Sequence, residues 1–174
     1  MDFLRKSFAW IIILLTTSCI DHKLSLSRGH YVSPDFKTDG FYYSTYYGDS
    51  KSHAIWFLYQ DGTLFHCGIA NEEEFKNIND FLKKEIPERR TRKESWGLFQ
   101  LIGRNIVLEG WNTSVGGGLP RYRMEGKIID DSTFLVNRFV GYEGWKAKTV
   151  SVDSAIFRFF PYTPKPDSTN AYIP

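Results

Sequence analysis

Ala54-Ile55-Trp56-Phe57-Leu58-Tyr59-Gln60, then Asp61-Gly62, then Thr63-Leu64-Phe65-His66-Cys67-Gly68-Ile69 is the stretch that decides the fold. Two runs of aromatic and branched side chains flank a dipeptide suited to a type I′ turn, which needs positive φ. The pattern predicts a β-hairpin over 54–60 and 63–69. A two-residue turn sets the register: Gln60 faces Thr63, Leu58 faces Phe65 and Trp56 faces Cys67, all on one side. Ile55, Phe57, Tyr59, Leu64, His66 and Gly68 share the other. Both sides are largely apolar, so this hairpin is expected to be covered on both faces over part of its length.

Outward from the hairpin the plan repeats. Gly40 opens an aromatic strand at 41–47, which Gly48-Asp49-Ser50-Lys51-Ser52 breaks. Downstream, 95–102 and 104–112 meet at Gly103-Arg104. A two-residue turn there pairs Leu101 with Ile106 and Phe99 with Leu108 in one interior row, with Gln100 and Glu109 opposite. Residues 121–129 alternate: Tyr122, Met124 and Ile128 point one way, Arg123, Glu125 and Lys127 the other. Asp130-Asp131-Ser132-Thr133 turns the chain into 134–140, a loop spans Gly141–Gly144, and the last strand covers 154–160.

One amphipathic helix, about 72–86, interrupts the strands. Asn71 can cap it, Glu72-Glu73-Glu74 suit its N-terminal dipole, and Phe75, Ile78, Phe81 or Leu82, and Ile86 recur at helical spacing. Pro87 follows the expected stop. Such a helix caps a barrel end, lies on the wall, or forms a lid. Eight strands joined mostly by hairpins give a mainly β fold: an eight-stranded antiparallel up-and-down barrel with one inserted helix. The crossover helices that a parallel sheet requires are absent.

The barrel domain spans 39–161. Before it, 19–38 read as a polar tether, and after it the Pro-rich tail 162–174 is expected to pack loosely. At the very start, Arg5 and Lys6 precede the apolar run Phe8–Leu15, then Thr16-Thr17-Ser18-Cys19. Eight apolar residues are too few for a spanning helix, which needs ~20, so 1–18 read as a secretory signal. This order resembles the signal peptide of bacterial lipoproteins. The resemblance implies cleavage before Cys19 and acyl chains such as palmitate on it, anchoring the chain to a membrane of the bacterial envelope, the outer membrane by expectation. The alternatives are an ordinary signal peptide with an incidental cysteine, or a Cys19–Cys67 bridge. Two acyl chains hold a protein firmly where one does not.

The domain resembles the lipocalin-like, or calycin, barrels found among bacterial envelope lipoproteins. The residues that carry the likeness are Gly40-Phe41-Tyr42 on the first strand, Arg158 on the last, and the hairpin segments Trp96-Gly97-Leu98-Phe99 and Glu125-Gly126-Lys127-Ile128. In that family the tryptophan of a Gly-x-Trp on the first strand packs against a basic residue near the final strand, and in this chain Tyr42 replaces the tryptophan. Here those are Tyr42 and Arg158, although Arg158 equally reads as a surface arginine. The resemblance implies a small hydrophobic ligand inside the barrel. Trp56, Leu58 and Phe65 would contact it from the first hairpin, Phe99, Leu101, Ile106 and Leu108 from the second, and Tyr122 and Met124 from the next strand. The alternative is a barrel filled by its own side chains, serving a structural or protein-interaction role.

Composition narrows the chemistry. A formal net charge of +2 argues against a nucleic-acid binder. The four histidines lack metal-ligand spacing, and neighbours His66 and Cys67 point to opposite faces of their strand. Glu109 and Glu125 are the one carboxylate pair worth weighing for acid–base chemistry, but the register sets them away from the interior row. No catalytic set and no cofactor or metal site is legible. Cys67 reads as a small buried hydrophobe. Arg89, Arg90, Arg92 and Lys93 form a basic loop, either solvated and balanced by Glu88 and Glu94 or in contact with anionic lipid headgroups.

Overall fold

The computed structural model describes residues 22–30, 36–46, 49–113, 118–143, 146–151 and 154–174. The signal segment 1–18 and Cys19 lie outside the described residues. The strands are β1 (Gly40–Tyr46), β2 (Asp49–Leu58), β3 (Thr63–Asn71), β4 (Trp96–Ile102), β5 (Asn105–Trp111), β6 (Arg121–Asp130), β7 (Thr133–Glu143), β8 (Lys146–Ser151) and β9 (Ala155–Pro161). From β1 to β7 each pairs antiparallel with its sequence neighbour, and β9 joins β7 to β1. The result is the closed eight-stranded antiparallel barrel expected from the sequence.

β8 was not expected. It pairs with the far half of β7, through Val140↔Val150 and Tyr142↔Ala147, so Gly141 lies in a strand and not in a loop. β2 likewise starts at Asp49, within the stretch read as a break.

The β2–β3 register also differs from expectation. Tyr59 N–H donates to Thr63 O at 2.9 Å and Gly62 N–H to Tyr59 O at 3.0 Å. Gly62 has φ of 79°, the left-handed residue that ends a three-residue hairpin loop. One more loop residue moves the pairing to Leu58↔Leu64, Phe57↔Phe65 and Trp56↔His66. A one-residue slip inverts a strand: Leu64 and His66 turn into the barrel, while Phe65 and Cys67 turn outward. A bulge follows, where Ile55 pairs with Gly68 and Ala54 with Ile69. Cys67 is the extra residue, and Gly68 beside it takes φ of 116°. The β4–β5 register is as read, with Leu101↔Ile106 and Phe99↔Leu108.

The wall separates two apolar clusters. Inside lie Leu58, Leu64, Phe99, Ile106, Leu108 and Phe134, all fully buried. Outside, Phe41, Ile55, Phe57, Phe65, Cys67 and Trp96 form a second core. Both faces of the first hairpin are thus covered, as its sequence predicts. Helix α1 (Glu72–Lys76) is capped by Asn71 and Glu74 in a reciprocal capping box. Asn77 then breaks the run, its N–H and Nδ2 both donating to Glu73 O at 3.2 Å. Helix α2 (Ile78–Arg89) lays Ile78, Phe81 and Leu82 on the outer core, so the helix lies on the wall. It runs past Pro87, which falls in the last turn and removes one hydrogen bond without ending the helix. Among the described residues, no helix is long and apolar enough to cross a membrane.

Both segments expected to be loose are docked on this outer core. In the strap 22–30, the Ser25 and Leu26 N–H groups donate to Glu109 Oε2 at 2.6 and 3.1 Å, and Gly29 N–H donates to Asp61 O at 3.3 Å. Leu24 and Leu26 pack on the core beneath. In the tail, Ile173 is buried in that core, and Asp167 takes two hydrogen bonds from Arg90 at 2.9 and 3.1 Å. Half-buried Lys165 donates to Leu58 O at 2.7 Å and to Thr38 O.

Candidate functional site: the open end of the barrel

The β2–β3, β4–β5 and β6–β7 turns gather at one end of the barrel, and that end is plugged. Phe36 enters it, stacks on Tyr42 at 5.1 Å between ring centroids, and meets Phe134 at 6.1 Å and Phe99 at 6.3 Å. Lys37 N–H donates to Asp131 O at 2.9 Å, its ammonium pairs with the Asp131 carboxylate at 2.9 Å, and the Tyr42 hydroxyl donates to Lys37 O at 2.9 Å. The Tyr42–Arg158 contact implied by the family resemblance is not formed. Alternation along β9 sends Phe159 inward against Tyr42, at 5.5 Å, and leaves Arg158 exposed.

The other end is hollow. A cavity of about 650 Å³ reaches from the barrel interior to this mouth. Its apolar floor is Trp56, Tyr122, Met124, Val136, Phe139 and Phe157; its rim includes Thr45, Arg89, Arg92, Asn112, Thr113 and Ser151. Tyr122 stacks on Phe139 at 5.7 Å, and Trp56 meets Phe157 edge-on at 5.8 Å. Trp56 is only 7% exposed, and its Nε1–H has no hydrogen-bond partner among the described residues. A buried donor left in that state costs about 1–3 kcal/mol, which an acceptor on a bound molecule would recover.

His66 stands beside Trp56, ring to ring at 5.0 Å. Burial, then the positive charge of Arg89, pulls its pKa down to about 4, so the ring is neutral at neutral pH. Arg89 is placed by two features. Glu85 accepts from its Nε at 3.0 Å, and its guanidinium lies 3.4 Å from where a side chain on Gly68 would begin. The bulge glycine therefore makes the seat for the rim arginine.

Of the residues singled out from sequence, Trp56, Tyr122 and Met124 line the cavity. Leu58, Phe99, Ile106 and Leu108 belong to the interior but to its packed part, with Leu101 partly buried against them. Phe65 is in the outer core, on the far side of the wall. Sequence reasoning missed Val136, Phe139, Phe157 and His66. Alternation along 154–160 could have found Phe157, and His66 needed the correct turn length.

The basic loop is engaged within the molecule: Arg89 with Glu85, Arg90 with Asp167, Arg92 with Glu88, and Lys93 over the Trp111 ring at 4.7 Å. The carboxylate pair lies on the outer face. Arg123 bridges Glu109 at 3.1 Å and Glu125 at 2.8 Å, and Arg138 completes the ladder to Glu125 at 2.7 Å. Burial alone would raise the Glu109 carboxyl. The bonds from Ser25, Leu26 and Arg123 outweigh it and hold the group below its usual range. Burial pushes the Cys67 thiol up to about 12. Among the described residues, no three His, Cys, Asp or Glu side chains gather where they could hold a metal ion. Comparison of the chain with models of known families, with curated proteins and with solved structures returns no match.

Proposed function

We propose that this protein is a membrane-anchored, lipocalin-like binding protein that holds one small hydrophobic molecule in the open half of its barrel, without catalysing a reaction. The cavity carries the proposal. Its volume of about 650 Å³ falls within the ~300–1,000 Å³ of small-molecule sites, and its floor is aromatic and aliphatic. The unpartnered Trp56 indole specifies a ligand with an apolar body and at least one hydrogen-bond acceptor. In this reading the signal segment exports the chain and Cys19, once acylated, supplies the anchor.

Full-length protein titrated with a fluorescent fatty-acid analogue is expected to take up one equivalent saturably, with energy transfer from Trp56. Native mass spectrometry is expected to show a co-purified small molecule. Neither uptake nor a bound mass would overturn the proposal in favour of a structural or interaction role.

A further inference from the structure

We propose that the mouth of the barrel faces the membrane that anchors the chain, so that the cavity opens onto the lipid surface. The inference rests on the acylation of Cys19 proposed above and adds an orientation to it. The carbonyl of His22 accepts from Trp111 Nε1 at 2.6 Å, and His22 N–H donates to Leu119 O at 3.5 Å. Trp111 ends β5 at the mouth, and Asn112 and Thr113 after it line the rim. The fold therefore holds the first described residue of the strap at the open end.

From there the strap runs down the outer wall. Glu109 holds Ser25 and Leu26, Asp61 O at the plugged end holds Gly29, and Phe36 then enters the plug. Cys19 is three residues before His22, a reach of about 11 Å at 3.8 Å per Cα step. β5 runs Asn105–Trp111, about 20 Å at strand rise. An anchor on Cys19 is thus held at the mouth and cannot reach the plugged end. A loose 19–38 tether would impose no orientation; the docked strap does.

The test uses the full-length chain in phosphatidylethanolamine/phosphatidylglycerol vesicles that carry a nitroxide on some headgroups. A fluorophore is placed on Thr113→Cys at the mouth or Asn105→Cys at the plugged end. Both sites are exposed and flank the same strand, and buried Cys67 does not compete for the label. Quenching several-fold stronger at 113 than at 105 is expected. Adding Glu109→Gln, which loosens the strap, is expected to bring the two values together. Equal or reversed quenching on a chain whose intact mass shows acylation overturns the orientation alone. An intact mass without acyl chains overturns the anchor and this orientation with it, while leaving uptake of the fatty-acid analogue as a separate measurement.

Discussion

The two halves of the barrel interior are built from the same strands with the same alternation, yet one is packed solid and the other is hollow. In the plugged half, Phe36 fills the space between Tyr42, Phe99 and Phe134. Backbone bonds from Lys37 N–H to Asp131 O and from Phe159 N–H to Ser132 O, at 2.9 and 2.7 Å, close it further. Among the described residues no chain segment enters the mouth, and the end of α2 and the β5–β6 loop supply polar rim residues there. Whether a barrel of this size is full or open is thus decided less by its strands than by what its flanking segments insert. Packing is concentrated at one end, and the other keeps open space.

The largest expected contrast comes from truncating one phenylalanine in each half. Phe134→Ala should cost about 3–5 kcal/mol in urea unfolding, as large core truncations do. Phe139→Ala, which borders existing space, should cost about 1–2 kcal/mol. Equal losses would break the comparison.

Lys165, docked beside the plugged end, gives a pH signature. Burial lowers its pKa from 10.5 to about 8. Below pH 8 the lysine is charged in both states and its burial costs stability. As pH rises from 8 toward 10.5 the folded state sheds the proton first, and the cost is relieved by at most about 3 kcal/mol. Relative to Lys165→Met, the wild-type protein should therefore gain stability over that window. A constant difference would show that the docked tail leaves its ammonium in water.

Glu109→Gln should be milder, about 1.5–3 kcal/mol for weakened charge-assisted bonds. Its effect should concentrate in the strap, read as faster amide exchange at Ser25 and Leu26. Because the folded carboxyl lies below its usual 4.5, its contribution is present above that pH and is lost as pH falls through the lower folded value. The strap should loosen in acid before the plugged end does.

What the sequence discloses follows the range of the interactions. The Asn71 N-cap, the Gly103-Arg104 hairpin and the alternation of 121–129 are local, and each forms as read. Asp61-Gly62 was misread by one residue because Gly62 adopts positive φ at the third position of a longer loop. That slip alone moved Phe65 from the interior to the outer core and hid His66. Nothing local marks the strap and tail as docked. Their partners, Glu109 for Ser25 and Leu58 O for Lys165, lie 84 and 107 residues away. The cavity was equally hidden, since the same aromatic composition serves a filled or a hollow barrel.

The most direct test of the central claim is Ala54→Phe, which puts a ring into the hollow half from a wall position that lines the cavity. The account predicts that affinity for the fluorescent fatty-acid analogue falls at least tenfold while urea stability is unchanged or raised, because added side-chain atoms fill space rather than displace neighbours. Undiminished uptake by a folded Ala54→Phe protein would contradict it and place binding somewhere other than the mouth.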